Sequence, residues 1–396
     1  MLSTRISFGR ALRVGALCAA MAALSACAPQ RSAGVDSGLA VDPNQPVKVA
    51  LLVPLGSGDP GRERIGNSLV NAAKLAQGDV RNATIDLVVY PDQGTANGGA
   101  AAAQRAVAEG AQIIVGPLFS TATAGAQPVA RQAGLTMLSF SNNTDVAGDN
   151  VYILGNTFQN TADRLVAYAQ SRGLNSFAVV YPNGLEGEMA RNAVAQAAQA
   201  RGATVVASES YNLSVDSIKA AAPAISAALQ GSGANAVILT DGPTGGLGLM
   251  ARGLRDNGLS YDFSQFLGMQ RWDVSAEALA EPALQGGAFA APDPGLLAAF
   301  NGRYQTAFGE PPHELASLAF DGVAAVGALI AEARANGGSP FSTERLTQSS
   351  GFAGASGPFR FTPSGGNQRT LAILQVQGGG ASVAQPAART FDATGF

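Results

Sequence analysis

Two parallel β-sheets, each covered by helices on both faces, are the α/β fold that this sequence predicts. The first observation is an alternation of continuous apolar runs with amphipathic helical segments, which begins at Val47. The second is that this alternation restarts near residues 150–156, which predicts a second sheet of the same kind. The third is composition, because 396 residues with 46% hydrophobic and 13% charged side chains suffice for two packed cores.

The first half of the chain alternates four apolar runs with three helical segments. The runs predicted as strands are VKVALLVPL, TIDLVVYPD, AQIIVGP and LTMLSFS. In the first intervening segment Ile65, Leu69, Ala72 and Ala76 recur at helical spacing, which places them on one face of a helix. Continuous apolar strands are typical of a parallel sheet that is buried on both faces.

The second half repeats the pattern and then changes. Its predicted strands are SFAVVYP, ATVVASESY, ANAVILTDG and SQFLGMQ. Two amphipathic helices follow, one with Phe300 and Tyr304 on its apolar face and one that runs from about His313 to Ala335. Two last strands, GPFRF and RTLAILQVQ, flank the turn TPSGGNQ, and a Gly/Ala/Pro-rich tail closes the chain.

The N-terminus predicts export and lipid attachment. A basic segment and the short apolar run VGALCAAMAALSA are followed by LSAC, which ends at Cys27 and resembles a bacterial lipobox. The alternative is an ordinary secretory signal that ends near Cys27 by chance. We therefore expect a signal peptide at 1–26, and a lipidated Cys27 with a flexible tether at 27–46. The chain would face the periplasm from a membrane, and the absence of Asp at position 28 favours the outer membrane.

Composition excludes several kinds of chemistry. A formal net charge of −3 gives no basic surface for nucleic acid. Cys18 lies in the predicted signal peptide and Cys27 carries lipid, so the folded part has no thiol for a nucleophile, a disulfide or a metal. The one histidine, His313, follows two prolines and is interpreted as a residue in the first turn of a helix. No motif indicates a metal site or a cofactor, and we expect no enzymatic activity.

Open parallel sheets bind ligands at the carboxyl ends of their strands. The loops after the predicted strands are rich in Ser, Thr, Asn, Asp and Gly, and AQIIVGPLFSTATAG shows one of them. There a strand runs through a Gly-Pro turn into a helix start at Ser120 and Thr121. These hydroxyls serve either a ligand near the helix N-terminus or only the helix itself, and both interpretations stay open.

The order of elements resembles the type I periplasmic binding proteins, in particular the leucine/isoleucine/valine-binding group. The resemblance covers roughly residues 47–380 and is carried by VALLVPL, IIVGPLFSTAT, LTMLSFSNNTD, FAVVYPNGLEGEMA and LGLMARGLRDNG, among other segments. It implies two lobes joined by three crossovers, with a cleft between them. Lobe 1 would comprise 47–153 and 292–350, lobe 2 would comprise 154–291 and 351–378, and 379–396 would be the tail.

The resemblance also implies a ligand cleft. In amino-acid-binding members two loops of the first lobe hold the ligand's carboxylate, and the positions that match them are Ser120, Thr121, Ser141, Asn142 and Asn143. These residues are otherwise only helix-capping and turn residues.

The second lobe departs from the pattern of an amino-acid receptor. Gln270 stands where the family has the carboxylate that binds the ammonium group, although Glu186 or Asp241 would restore the charge from another loop. Arg271 and Trp272 lie at the predicted cleft edge, where Trp272 serves either recognition or packing.

A further resemblance is to the lipoproteins called penicillin-binding protein activators. It is carried by SFSNNTDVAG, LGMQRWD, EPALQGGAFAAPDP, FNGRYQTAFGEPPHELASLAFDGVA and GFAGASGPFRFTPSGGNQRTLAIL. It implies a non-enzymatic lipoprotein whose partner is a peptidoglycan synthase. The alternative is the receptor of an ABC importer that delivers an amino acid or another small polar ligand to a permease, and Gln270 favours the first interpretation.

Overall fold

The structure is a computed structural model, and it describes residues 41–260 and 265–391. The predicted signal peptide, the lipidation of Cys27 and most of the predicted tether lie outside the described residues. The helices, in chain order, are α1 Pro60–Asp79, α2 Ala96–Ala108, α3 Ser120–Gln132, α4 Phe158–Ser171, α5 Leu185–Ala200, α6 Val215–Gly231, α7 Leu247–Asp256, α8 Ala276–Ala280, α9 Pro294–Phe308, α10 Ala316–Asn336 and α11 Thr343–Leu346.

Fourteen strands are assigned in the described part of the chain. They are β1 Val47–Val53, β2 Ile85–Pro91, β3 Ile113–Val115, β4 Met137–Ser139, β5 Val151–Ile153, β6 Ser176–Pro182, β7 Thr204–Tyr211, β8 Ala236–Leu239, β9 Gln265–Gly268, β10 Ala288–Ala291, β11 Phe359–Phe361, β12 Asn367–Arg369, β13 Ala372–Gln377 and β14 Gly380–Gln385.

The first lobe is organised by a five-stranded parallel sheet with strand order β2-β1-β3-β4-β5. Side chains alternate between its faces along β1. Val49, Leu51 and Val53 enter one core cluster, and Ala50 and Leu52 enter the cluster on the opposite face. Helices cover both faces, so this sheet is as the sequence predicts.

The helix starts of the first lobe follow from local chemistry. Asp59 precedes α1, and its carboxylate accepts a hydrogen bond from the Arg62 N–H at 2.8 Å, with Pro60 as the first helical residue. In the described part of the chain, α10 is the one helix with the length and hydropathy of a membrane span. Since 72% of that apolar window is buried, with Val323 and Val326 in the first core, α10 is a core helix of this lobe.

The second lobe contains a seven-stranded sheet with order β14-β13-β10-β9-β8-β6-β7. Its five strands from β6 to β10 are parallel, but β13 is antiparallel to β10, and β14 is antiparallel to β13. The predicted tail at 379–396 is therefore wrong in part, because Gly380–Gln385 form an edge strand. The turn residues Gly378 and Gly379, at φ +61° and +79°, reverse the chain tightly enough for β14 to pair with β13.

The hairpin β11–β12 lies with the first lobe. Phe352, Phe359 and Phe361 pack in the first core, and the ring of Phe361 contacts Tyr152 edge to face at 5.4 Å between centroids. The predicted assignment of 351–378 to the second lobe is wrong for the hairpin, whose aromatic side chains belong to the first core. Aromatic side chains at alternate positions of a short strand do not reveal which of two sheets they face.

The end of the predicted tether is also ordered against the first lobe. Val41 is buried in the first core, and the Pro43 carbonyl accepts a hydrogen bond from Arg334 Nε at 3.1 Å. A tether that extends to residue 46 is therefore wrong for residues 41–46, because an apolar side chain and a carbonyl there have partners in the fold.

The candidate ligand cleft between the lobes

A cavity of about 730 Å³ opens at the carboxyl ends of the second-lobe strands. Loops after β6, β8, β9 and β10 form most of its wall. The start of α10, from the first lobe, contributes Glu314, Leu315, Ser317 and Leu318 to its lining. The cavity therefore lies where ligands bind in open α/β sheets, with residues of both lobes around it.

The loop between β6 and α5 has a fixed conformation. Gly184 has φ +127°, which side-chain-bearing residues rarely adopt, and a Cβ on Gly187 would lie 1.9 Å from the Pro182 carbonyl oxygen. These two glycines let α5 begin close to the strand end. As a result Glu186 stands in the first turn of α5, beside the positive end of the helix.

The loop after β8 is organised around the Asp241 carboxylate. One of its oxygens accepts the Gly242 N–H at 2.8 Å, and the other accepts the Gly246 N–H and the Tyr211 hydroxyl, the latter at 2.9 Å. Burial, together with the nearby charge of Asp241, raises the pKa of Tyr211 well above its usual range. Asp241 therefore holds its own loop, and both of its oxygens already have donors.

Gln270 and Glu186 meet at the cavity wall. Gln270 Nε2 donates to Glu186 Oε1 at 3.3 Å, and both residues line the cavity. The structure thus brings together the amide that replaces the expected acid and a carboxylate from a neighbouring loop. The hydrogen-bond partner of this carboxylate is therefore a neutral amide and not a cation.

Arg271 lines the same wall but is already paired. Its Nε and one terminal nitrogen donate to the two Asp273 oxygens at 3.0 and 2.7 Å. Glu314, on the first-lobe side of the cavity, interacts electrostatically with Arg271. The guanidinium is therefore held between carboxylates.

Trp272 does not reach the cavity. It is fully buried in the second core, 5.6 Å from the Phe289 ring centroid. Gly268 and Gly287 lie under its ring, where any Cβ would clash with indole atoms. The prediction of Trp272 as a cleft residue is wrong, and the alternative of packing is confirmed. The indole fits because glycines occupy the end of β9 and the position before β10.

The floor of the cavity is polar and buried. Thr161, Thr240, Ser317, Ser356 and Thr370 all line it, and each is more than nine-tenths buried. Thr161 accepts a hydrogen bond from the Asn156 amide at 3.0 Å. Thr240 is 4% exposed, and its hydroxyl has no hydrogen-bond partner in the described part of the chain. A buried hydroxyl without a partner is uncommon in native folds and suits contact with a ligand.

A buried ion pair marks the crossing between the lobes. Arg369 donates to Asp321 at 2.9 Å and, through Nε, to the Leu154 carbonyl at 2.9 Å. Asp321 also accepts the Ala355 N–H at 2.7 Å. Burial raises the pKa of Asp321, and the Arg369 guanidinium opposes that rise.

A second set of hydrogen bonds ties two of the crossing segments together. The Asn367 amide donates to the Ile153 and Gly155 carbonyls at 2.6 and 2.9 Å, and it accepts the Asn160 amide at 2.6 Å. The segment after β10 is bonded separately, since the Asp293 N–H donates to the Ser356 carbonyl at 2.9 Å. The three crossovers that the resemblance implies stay a prediction.

The five first-lobe residues of the predicted cleft do not line this cavity. Ser141 Oγ accepts the Asn143 N–H at 3.1 Å, and Asn143 Oδ1 accepts the Asp145 N–H at 2.9 Å. Asn142, between them, belongs to the same turn. In both bonds a side chain of the turn accepts a backbone N–H of the same turn.

The residues at the start of α3 likewise make contacts within the protein, and Ser120 does not cap the helix. Phe119, not Ser120, occupies the N-cap position and makes no side-chain cap bond. Thr121 is exposed and lies 3.5 Å from the Gly94 carbonyl oxygen. The next hydroxyl, Thr123, is buried and bonds Ser139 Oγ at 2.9 Å. A ligand role for Ser120 and Thr121 stays a prediction.

Sequence reasoning missed three residues that define the cavity: Thr240, Glu314 and Arg369. Thr240 was identifiable, because it is the last residue of the apolar run ANAVILT at a sheet edge that binds ligands. Glu314 and Arg369 come from segments far away in sequence, and no local pattern relates them to the cavity.

The histidine lies just before a helix. His313 Nδ1 accepts the Leu315 N–H at 3.2 Å, three residues ahead of the first residue of α10, and burial lowers its pKa. In the described residues no group of three or more His, Cys, Asp or Glu side chains is arranged to hold a metal ion.

Comparisons with known proteins agree with this architecture. The sequence profile described as periplasmic binding protein matches residues 46–381. A search of curated proteins gave no match. A solved structure described as a branched-chain amino acid ABC transporter from Rhodospirillum rubrum aligns with a TM-score of 0.71 at 19% identity, covering 86% of this chain and 100% of that one.

Two further structures show the same fold with different ligands. A substrate-binding protein from Desulfitobacterium hafniense in complex with Leu aligns with a TM-score of 0.62 at 19% identity, covering 86% of this chain and 100% of the other. A solute-binding protein from Rhodopseudomonas palustris in complex with 3,4-dihydroxybenzoic acid gives 0.59 at 19% identity, with coverages of 88% and 97%. With a two-lobed fold of the leucine-binding type and a family match over most of its length, the chain belongs to the periplasmic binding proteins.

Proposed function

We propose that this protein is a non-enzymatic solute receptor, which binds a small polar ligand between its lobes and presents it to the permease of an ABC importer. The observation that carries the proposal is the cavity lining, in which Glu186, Gln270 and Thr240, whose hydroxyl has no partner among the described residues, are joined by residues from the start of α10. The structural relatives, which are ABC transporter proteins, support the same role.

The arrangement of the cavity suits binding better than catalysis. Arg271 and Asp241 are each fixed by hydrogen bonds to protein groups, and His313 bonds the backbone at a helix start. The crossing between the lobes is bonded, which suits lobes that close around a ligand as units.

The N-terminus supports a location in the cell envelope. We propose that Cys27 carries lipid and anchors the protein to a membrane, facing the periplasm. Fractionation of cells that express the wild-type chain or Cys27→Ser tests this. The wild type should partition with membranes and the variant should not; equal partitioning would contradict the anchor, and partitioning with outer-membrane lipoproteins would favour the second candidate below, because the permease of an importer lies in the inner membrane.

Calorimetry tests the receptor role. The mature chain from Cys27 onwards, purified in detergent, is titrated with amino acids, other small polar solutes and muropeptides. A receptor should bind at least one of them with a Kd of about 1 μM or below, equivalent to roughly 8 kcal/mol. Absence of binding across the panel would contradict the role.

A second candidate is a penicillin-binding protein activator that contacts a peptidoglycan synthase. Two observations favour it: Gln270 replaces the acid of an amino-acid receptor, and Leu185, Leu213 and Val274 stand exposed at the cavity mouth. Exposed apolar side chains in one place are typical of protein contact. A pull-down of membrane synthases with the lipidated chain tests it, and retention of a synthase without solute binding would replace the receptor proposal.

A further inference from the structure

We infer that the cavity is built for an organic amine that lacks a neighbouring carboxylate: a cation with an apolar substituent rather than a free amino acid. The inference rests on the proposed receptor function and names the ligand class of the same site. Four features of the cavity carry it.

The first feature is the balance of charge. Two arginines line the cavity, and each is paired with its own aspartate, Arg271 with Asp273 and Arg369 with Asp321. The carboxylates that line it beyond these pairs are Glu186, Asp241 and Glu314. The cavity is therefore net negative, and it has no unpaired guanidinium for a ligand's carboxylate.

The second feature is the availability of carboxylate oxygens. Asp241 is held by two backbone N–H groups and by Tyr211. Glu186, by contrast, receives a single hydrogen bond from a neutral amide, and Glu314 makes no hydrogen bond in the described residues. An ammonium group would offset the negative charge of Glu186, which the Gln270 amide does not.

The third feature concerns the groups that would bind an anion, which are helix N-termini and polar loops. Two of the helix starts at the cavity, those of α5 and α10, have a glutamate beside them, Glu186 and Glu314, whereas the start of α4, which lines the cavity with Thr161, has no acidic residue in its first turn. A carboxylate is repelled at a helix start that already has a negative neighbour. The polar loop of Ser141 and Asn143 in the first lobe bonds its own backbone.

The fourth feature points to a ligand independently of charge. Thr240 lines the cavity, and its buried side-chain oxygen lacks a hydrogen-bond partner among the residues that the structure describes. Thr240 directly follows β8, which pairs with the strand that leads to Gln270, and Thr240, Gln270 and Glu186 all line the cavity. An ammonium group has three N–H donors, and this wall offers it a carboxylate and a hydroxyl acceptor.

The apolar part of the ligand is indicated at the mouth. Leu185, Leu213 and Val274 line the cavity and are 76%, 55% and 51% exposed. A cavity of about 730 Å³ also has room for more than an ammonium group. A hydrocarbon group that contacts these side chains would remove apolar surface from water on both molecules.

Two matched series of probes test the inference by calorimetry on the mature chain in detergent. The first comprises isopentylamine, leucine and 4-methylpentanoate, and the second comprises phenethylamine, phenylalanine and 3-phenylpropanoate. Within each series the apolar group is constant and only the charged groups change. We expect each amine to bind at least tenfold more tightly than the amino acid, and the acids to bind weakest.

The variant Glu186→Gln should weaken amine binding at least tenfold. Glu188→Gln is the matched control, because Glu188 is in the same helical turn, pairs with Arg191 and does not line the cavity. Leu185→Ser should weaken phenethylamine more than isopentylamine. Circular dichroism and the unfolding midpoint show whether each variant is folded.

The outcomes separate this inference from the receptor role. Tighter binding of leucine, phenylalanine or either acid than of the amines would overturn the inference and leave solute binding intact. An equal loss of amine affinity in Glu186→Gln and Glu188→Gln would also overturn the inference. If none of the six probes binds, the amine inference fails, and the receptor role then depends on the wider solute panel.

Discussion

Both lobes have polar loops at the carboxyl ends of their strands, but they use the polar groups of these loops differently. In the first lobe Ser141 and Asn143 bond the backbone of their own turn. In the second lobe Glu186 keeps one carboxylate oxygen without a donor, and Thr240 has no partner at all in the described residues. Residue type alone therefore does not identify a binding site. Acceptors that lack a hydrogen-bond donor within the fold are the better indication.

The largest effect is expected where the sequence pointed to recognition and the structure shows packing. Trp272→Ala should lower the free energy of unfolding by about 4 kcal/mol, because a fully buried indole would leave a cavity between Gly268 and Gly287. Urea unfolding followed by circular dichroism measures this. A loss below about 1 kcal/mol together with loss of ligand binding would return Trp272 to the cleft.

The crossing between the lobes should be nearly as sensitive. Asp321→Ala should cost about 3 kcal/mol, because it leaves Arg369 as a buried charge without its carboxylate. Arg131→Ala is a suitable control, since Arg131 pairs with Asp149 at the surface from within a helix and its loss should cost less than about 1 kcal/mol. Similar losses in the two variants would show that the crossing does not depend on the ion pair.

A pH-dependent difference is expected at the edge of the first lobe. Asp92 follows β2 and is fully buried; one of its oxygens accepts the Gly94 N–H, and the other has no partner among the described residues. Burial raises the pKa of Asp92 to about 6. The folded state therefore binds the Asp92 proton more tightly than the unfolded chain does. The contribution of Asp92 to stability is greatest below the unfolded pKa of about 4, falls between pH 4 and 6 and stays lower above that.

The variant Asp92→Asn tests this, because asparagine does not titrate and keeps an acceptor for Gly94. Relative to the wild type, its free energy of unfolding should rise by about 2 kcal/mol between pH 4 and pH 7, given roughly 1.4 kcal/mol per unit of pKa shift. Urea titrations at both pH values measure the difference. If the free energy of unfolding of the variant differs from that of the wild type by the same amount at both pH values, Asp92 has an ordinary pKa.

The smallest effect sharpens the comparison of the lobes directly. Ser141→Ala should cost at most about 1 kcal/mol, because it removes one hydrogen bond to a turn N–H. It should also leave solute affinity unchanged, in contrast with Glu186→Gln. The same titrations that measure Glu186→Gln provide the comparison, and a tenfold loss of affinity in Ser141→Ala would place the first-lobe turn in the binding site.

Much of the fold was predictable because it depends on local patterns. Continuous apolar runs such as VKVALLV specify strands buried on both faces, and the helical spacing of Leu69, Ala72 and Ala76 specifies a helix that covers them. The loops at the strand ends follow from the same alternation, and so Glu186, Asp241 and Gln270 were identified as neighbours of the cleft. The edge strand Gly380–Gln385 was missed because its composition is that of a tail and only pairing with β13 orders it.

The sequence by itself determined the family, the two sheets and the sheet edge at which the cavity lies, since each follows from patterns along continuous stretches of chain. Only the tertiary structure decided which polar groups are available. It buried Trp272, assigned the hairpin aromatics to the first core, closed Asp241 within its own loop and paired Arg369 with Asp321 over 48 residues. The physical reason is that hydrogen-bond satisfaction depends on which groups meet in space, and those groups come from segments that have no local relation in sequence.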